Sequence, residues 1–314
     1  MSGSAGGVWH AVNGMAGLAS LYVGLETLIA FLGARIFLPR LFPGMSKVEL
    51  DARYGDMLTV GAVLISFLVV LIVRWPVIVG RDLQGDDHVR WSAGRRMTPL
   101  VFVICLAFLV LAQVAATFFQ DGVDSLAGRL GLHASPSSDG TGPSSLLMLF
   151  YAVVMGPLVE EVVFRGVIMN RLRRYGRVFA IVTSAVLFGF MHESLAQGLF
   201  GMLTGLMMGY VAMEHGLVWS LALHMVNNLV FSDLPSTYLP LLPAPLRLVL
   251  LLAAFLVFLT GLAGLVGHGR VILTYCRTYR AVKGVYASWL SPWFLVFCLG
   301  CLVLAVGEYL PGLH

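Results

Sequence analysis

Charge is what this chain has least of. Asp, Glu, Lys and Arg make up 11% of its 314 residues, under half of the roughly 25% usual in soluble globular chains, which excludes an ordinary cytosolic enzyme. The deficit is not confined to one anchor. Uncharged or nearly uncharged stretches recur from residue 8 to residue 307, each near the ~20 residues that cross a bilayer. Short pieces of alternating polarity are missing too, and with them the pattern of a transmembrane β-barrel. Basic residues do not run together among exposed aromatics, so nucleic acid is not a partner, and the net charge of +4 reads first as topology. No Lys or Arg precedes Arg35, so the N-terminus lacks the positive region of a cleavable signal peptide and serves as the lead-in to a first span. Cysteine is scarce as well. Of Cys105, Cys276, Cys298 and Cys301, three lie inside apolar blocks, where small hydrophobic packing is the usual role. Cys298-x-x-Cys301 has neither the two further ligands of a zinc site nor the soluble βαβ context of a redox motif.

What remains is an all-α, polytopic transmembrane helical bundle with eight or nine spans. By length and freedom from charge these fall at roughly 14–34, 57–74, 98–119, 145–170, 178–192, 195–213, 216–232, 247–267 and 287–308. The loops after spans 2, 4 and 8 hold fourteen of the twenty Lys and Arg residues, against six on the other side, which predicts a cytoplasmic N-terminus. The chain divides into three N-terminal spans (1–120), a Gly-, Ser- and Pro-rich flexible outer loop (121–144), a core of spans 4–7 (145–232) and C-terminal helices (233–314). In span 6, Gly201, Gly205 and Gly209 share one stripe and let a neighbouring helix approach closely.

Ionisable residues inside a membrane are costly, so each is a functional candidate. They concentrate in the core. Span 4 carries Glu160-Glu161-x-x-x-Arg165, span 5 ends Phe188-x-x-x-His192, and span 7 carries His224-x-x-x-Asn228. Glu161 and Arg165, four apart with the acid first, are placed for an ion pair, while Glu160 points about 100° away and stays available. Counting ~1.5 Å per residue from the Arg-rich side puts Glu160, His192, His224 and Asn228 within about two helical turns of depth. Gly156-Pro157 should bend or loosen span 4 just before the acids. Glu26 in span 1 reads as an acid paired across the bundle.

A carboxylate and an imidazole around one water are parts for general-base activation, and a second imidazole with a carboxamide can donate to a developing oxyanion. These are parts for amide hydrolysis. Glu160, His192 and His224 are alternatively one oxygen and two nitrogen ligands for a divalent metal such as zinc, with a position open for water. His192-Glu193 begins like a zincin motif but lacks its second His.

The ordered trio of motifs, over roughly residues 145–232, resembles the type II CAAX prenyl endopeptidases, the CPBP or Abi intramembrane proteases, which include bacterial bacteriocin-processing and self-immunity proteins. The resemblance implies an integral membrane peptidase acting on a peptide or membrane-protein substrate at the bilayer, most naturally the bacterial plasma membrane. It implies that Glu160 with His192 activates water, that His224 and Asn228 stabilise the oxyanion, and that Glu161 and Arg165 support the site. The family is described both as metalloproteases and as glutamate-type enzymes without a bound metal. The other function class open to these residues is a proton-coupled transporter or a non-catalytic immunity scaffold that uses the buried acids as a proton site.

Overall fold

The computed structural model describes residues 5–78, 91–92, 95–132, 145–233 and 239–310. Among the described residues there is no strand, and nine main helical segments overlap the candidate stretches read from the sequence, six of them long and apolar enough to cross a bilayer. They are α1 (Ala5–Leu32), α2 (Lys47–Ile78), α3 (Pro99–Arg129), a composite α4 (Leu146–Tyr175), α5 (Arg177–Phe190), α6 (Leu195–Glu214), α7 (Leu217–Asn227), α8 (Ala244–Thr278) and α9 (Pro292–Gly307). α2, α3, α4, α6, α8 and the helix that begins with α1 are long and apolar enough to cross a bilayer, whereas α5, α7 and α9 are shorter. The chain is an all-α polytopic membrane bundle.

Several helices run past their apolar runs. α2 begins at Lys47 because Ser46 and Glu49 form a reciprocal cap: the Ser46 amide donates to Glu49 Oε2 at 2.7 Å, and the Glu49 amide to Ser46 Oγ at 3.3 Å. α3 is capped by Thr98, has Pro99 in its first turn, and continues to Arg129. It therefore takes up residues 121–129, which the sequence assigned to the outer loop. In the rest of that loop, residues 133–144 lie outside the described residues.

The core is built on α4 to α7. α4 starts at the Ser145 cap, whose hydroxyl also bonds Asp56 of α2. It then alternates α-helix with two π-helical stretches, Tyr151–Met155 and Glu161–Met169, on either side of Gly156–Glu160. Pro157 lacks an amide hydrogen and cannot complete a regular ladder. The predicted loosening of span 4 thus takes the form of wide turns, which recur at functional sites. Gly176 (φ +132°) and Gly216 (φ +106°) make the reversals into α5 and α7, at backbone angles that a side chain would strain.

α5 and α6 form a hairpin. Arg177 at the start of α5 bonds Glu214 at the end of α6 at 2.8 Å, which brings those two ends together. The glycine stripe does the close packing. A Cβ on Gly205 would come within 3.1 Å of Ala185, and one on Gly209 within 3.1 Å of Ile181. The four cysteines are free thiols.

Candidate active site

The two adjacent acids on α4 have different surroundings. Glu161 has no exposed side-chain surface: Oε1 accepts from His224 Nδ1 at 3.1 Å and pairs with Arg165 Nη1 at 3.1 Å without hydrogen-bond geometry, and Oε2 accepts the Ser220 hydroxyl at 2.6 Å. The ion pair read from the i, i+4 spacing is present. The Arg165 guanidinium also lies 4.0 Å from the centre of the Phe188 ring, a cation–π contact in a dry setting. Glu160 keeps 17% of its side chain exposed, and its carboxylate faces His224 Nε2 at 3.5 Å.

His224 therefore stands between both acids. A carboxylate can only accept, so Nδ1 carries the hydrogen given to Glu161, and Nε2 is turned toward Glu160. His192 is not on α5, which ends at Phe190; it sits in the turn that leads into α6. That turn is completed by Glu193 at φ +52°, a left-handed conformation uncommon outside glycine. His192 Nδ1 lies 2.9 Å from the Phe188 carbonyl oxygen, which fixes Nδ1 as donor and leaves Nε2 to accept. The Phe188 ring meets both imidazoles edge-on, at centroid distances of 5.0 Å to His192 and 6.0 Å to His224. Gly201 makes the room: a Cβ there would lie 3.1 Å from the His192 ring.

Asn228 begins the π-helical continuation of α7, and its Nδ2 donates to the Ala152 carbonyl of the first π-helical stretch at 2.9 Å. One amide hydrogen is thus committed and the second is left. Asn227 Nδ2 donates to Asn228 Oδ1 at 3.1 Å and steadies it. The structure brings Glu160, Glu161, Arg165 and His224 into direct contact, joins His192 to them through Phe188, and sets Asn228 one turn beyond His224. Among the described residues the charges that bear on Glu26 are those of Glu160 and Glu193, both acids.

Ser220 and Asn227 are the polar contributors that the motif spacing does not single out. Ser220 stands one turn before His224, a position that could have suggested a shared partner.

Residues 142–230 match the family model Rce1-like, described as type II CAAX prenyl endopeptidase Rce1-like. That stretch is similar to the Rce1-like family. The match spans α4 to α7 and contains every residue of the site. The match covers 89 of the 314 residues and likens this part of the chain to the CAAX-type intramembrane proteases. No curated protein and no solved structure matches the chain.

Proposed function

We propose that the Rce1-like domain hydrolyses peptide bonds with a water activated by Glu160. The observation that carries this reading is the division between the adjacent acids: Glu161 is enclosed and held by Arg165, His224 and Ser220, while Glu160 keeps exposed surface and faces an imidazole. Glu160, assisted by His192 Nε2, takes a proton from the water, and the hydroxide oxygen bonds to the carbonyl carbon. The carbonyl oxygen becomes an oxyanion that accepts a hydrogen bond from the remaining amide hydrogen of Asn228, while His224 Nε2, its ring hydrogen being on Nδ1, accepts from Glu160 once Glu160 carries the proton of the water. The C–N bond then breaks as Glu160 returns its proton to the leaving nitrogen, which yields a carboxylic acid and an amine.

The reading uses no metal. A divalent metal held by Glu160, His192 and His224 is the other way to activate the same water, and chelation separates the two. Cleavage should survive prolonged chelation; loss that zinc alone restores would overturn this part. The role we infer is bacterial peptide processing or self-immunity at the plasma membrane, with the N-terminus in the cytoplasm. The excess of Lys and Arg in the loops after spans 2, 4 and 8, fourteen against six on the other side, supports the orientation.

The deciding experiment compares peptide termini in membranes and medium of cells that make wild type or Glu160→Gln at equal levels. New termini should appear with wild type alone. Removing a general base lowers turnover by about 10²–10⁴-fold, so Glu160→Gln should lose these termini while it stays folded. Equal cleavage by the two proteins would sink the reading.

A further inference from the structure

We propose that Ser220 is a positioning residue for this site, which acts through Glu161 to hold His224; the inference rests on the hydrolytic reading above and extends it. Ser220 is fully buried on α7, one turn before His224. Its hydroxyl lies 2.6 Å from Glu161 Oε2 and 3.0 Å from the Met208 carbonyl oxygen of α6. A hydroxyl has one hydrogen, and the shorter, charge-assisted contact takes it. The Met208 carbonyl lies on the other side and limits the rotation of the hydroxyl.

Glu161 is thereby held by α7 at two points. Ser220 binds Oε2 and His224 Nδ1 binds Oε1, while Arg165 holds Oε1 from α4 itself. Two anchors on opposite oxygens fix the plane of the carboxylate, where a single anchor would leave it free to turn about its last bond. The fixed plane presents Oε1 to His224 Nδ1, keeps the hydrogen on that nitrogen, and aims Nε2 at Glu160. The groups facing His224 are Glu160 and Glu161 from α4 and the Phe188 ring from α5. Of these, Glu161 alone bonds Nδ1, so loss of the Ser220 anchor reaches the reacting atoms through Glu161. Nucleophilic chemistry at Ser220 does not fit this placement, because the hydroxyl is enclosed and already donates to a carboxylate.

The test uses the full chain in lipid nanodiscs with nitrogen-15-labelled histidine, the His224 signals being identified by their loss in His224→Gln. In wild type, Nδ1 should appear as the protonated nitrogen. Ser220→Ala and the near-isosteric weak donor Ser220→Cys should both show His224 spread over two tautomers, while His192, held by the Phe188 carbonyl, keeps its wild-type signals. Ser220→Thr, which retains a hydroxyl, should restore the wild-type His224 pattern. On a quenched peptide that spans a bond cut by wild type, the alanine and cysteine variants should lose about 10- to 100-fold in kcat with KM nearly unchanged. Unchanged His224 signals in Ser220→Ala, or wild-type kcat in both variants, would overturn the proposal. A wild type that cuts no peptide would instead sink the hydrolytic reading, and the tautomer measurement would still decide the clamp.

Discussion

Helices α6 and α8 are both apolar enough to cross a bilayer, yet 44% of the most apolar stretch of α6 is buried inside the protein against 6% of that of α8. Their sequences account for the difference. α6 presents Gly201, Gly205 and Gly209 to α5 and lets backbones approach, so the hairpin excludes lipid from one side of the site. α8 is rich in large aliphatic residues that stay exposed, and its one buried residue is Gly261. Hydropathy alone ranks α8 as the better membrane helix, with mean hydropathy 2.7 against 1.4. The lower value of α6 reflects what it does: small residues give up hydropathy for contact, and contact is what a dry polar site needs.

The comparison breaks first at its charges. Arg165→Ala would leave Glu161 buried beside Ser220 and His224 without its counter-charge, and breaking a buried pair in this way costs about 3–5 kcal/mol. The melting temperature should fall by roughly 5–10 °C. Arg277→Ala, an exposed charge near the end of α8, should shift it by no more than about 1 °C. Thermal unfolding in detergent, followed by tryptophan fluorescence, checks both. Equal shifts would mean that the site does not depend on its ion pair.

Much of this contrast was legible in the sequence, and the parts that were not have physical reasons. The six long helices could be read because a bilayer demands long apolar runs, and α5, α7 and α9 because their shorter runs are just as free of charge. Their ends could not, because helix formation continues through polar turns that hydropathy discounts; the Ser46-x-x-Glu49 cap was the available signal for the start of α2. The Glu161–Arg165 pair followed from spacing alone. The placement of His192 in a turn did not, since it depends on Glu193 adopting a left-handed conformation that no local residue type announces. Nor did the hold of Ala152 on Asn228, which arises from π-helical stretches that α-helical counting cannot foresee. Ser220 is the instructive case: its distance from His224 was plain, but the shared partner, Glu161, lies 59 residues away in the chain.

A smaller effect tests the close approach of α5 and α6 directly. A Cβ on Gly189 would lie 2.2 Å from Met202 Cγ and 2.5 Å from the Gly198 carbonyl oxygen. The Met202 side chain can move; the backbone oxygen cannot without opening the hairpin. Gly189→Ala should therefore destabilise by about 1–3 kcal/mol, the usual cost of overpacking, and should also reduce cleavage because His192 sits in the turn just beyond. Wild-type stability and activity in this variant would show that the two helices are not held at this separation.

The smallest predicted effects lie on α8 and decide whether its exposed face is free. Gly261 crosses α3 where a Cβ would meet the Ala107 carbonyl oxygen at 2.4 Å, whereas Gly267, less than two turns on, has nothing within 4 Å. Gly261→Ala should loosen the seat of α8 on α3 at a cost of about 1–3 kcal/mol. Gly267→Ala meets no neighbour, so only the helix preference of alanine acts, and the variant should be unchanged or more stable by up to about 1 kcal/mol. Paired melting curves of the two variants in one detergent make the comparison. If Gly267→Ala destabilised as much as Gly261→Ala, the outer face of α8 would be a packed surface in the protein as isolated, and the low burial that separates it from α6 would no longer describe the working molecule.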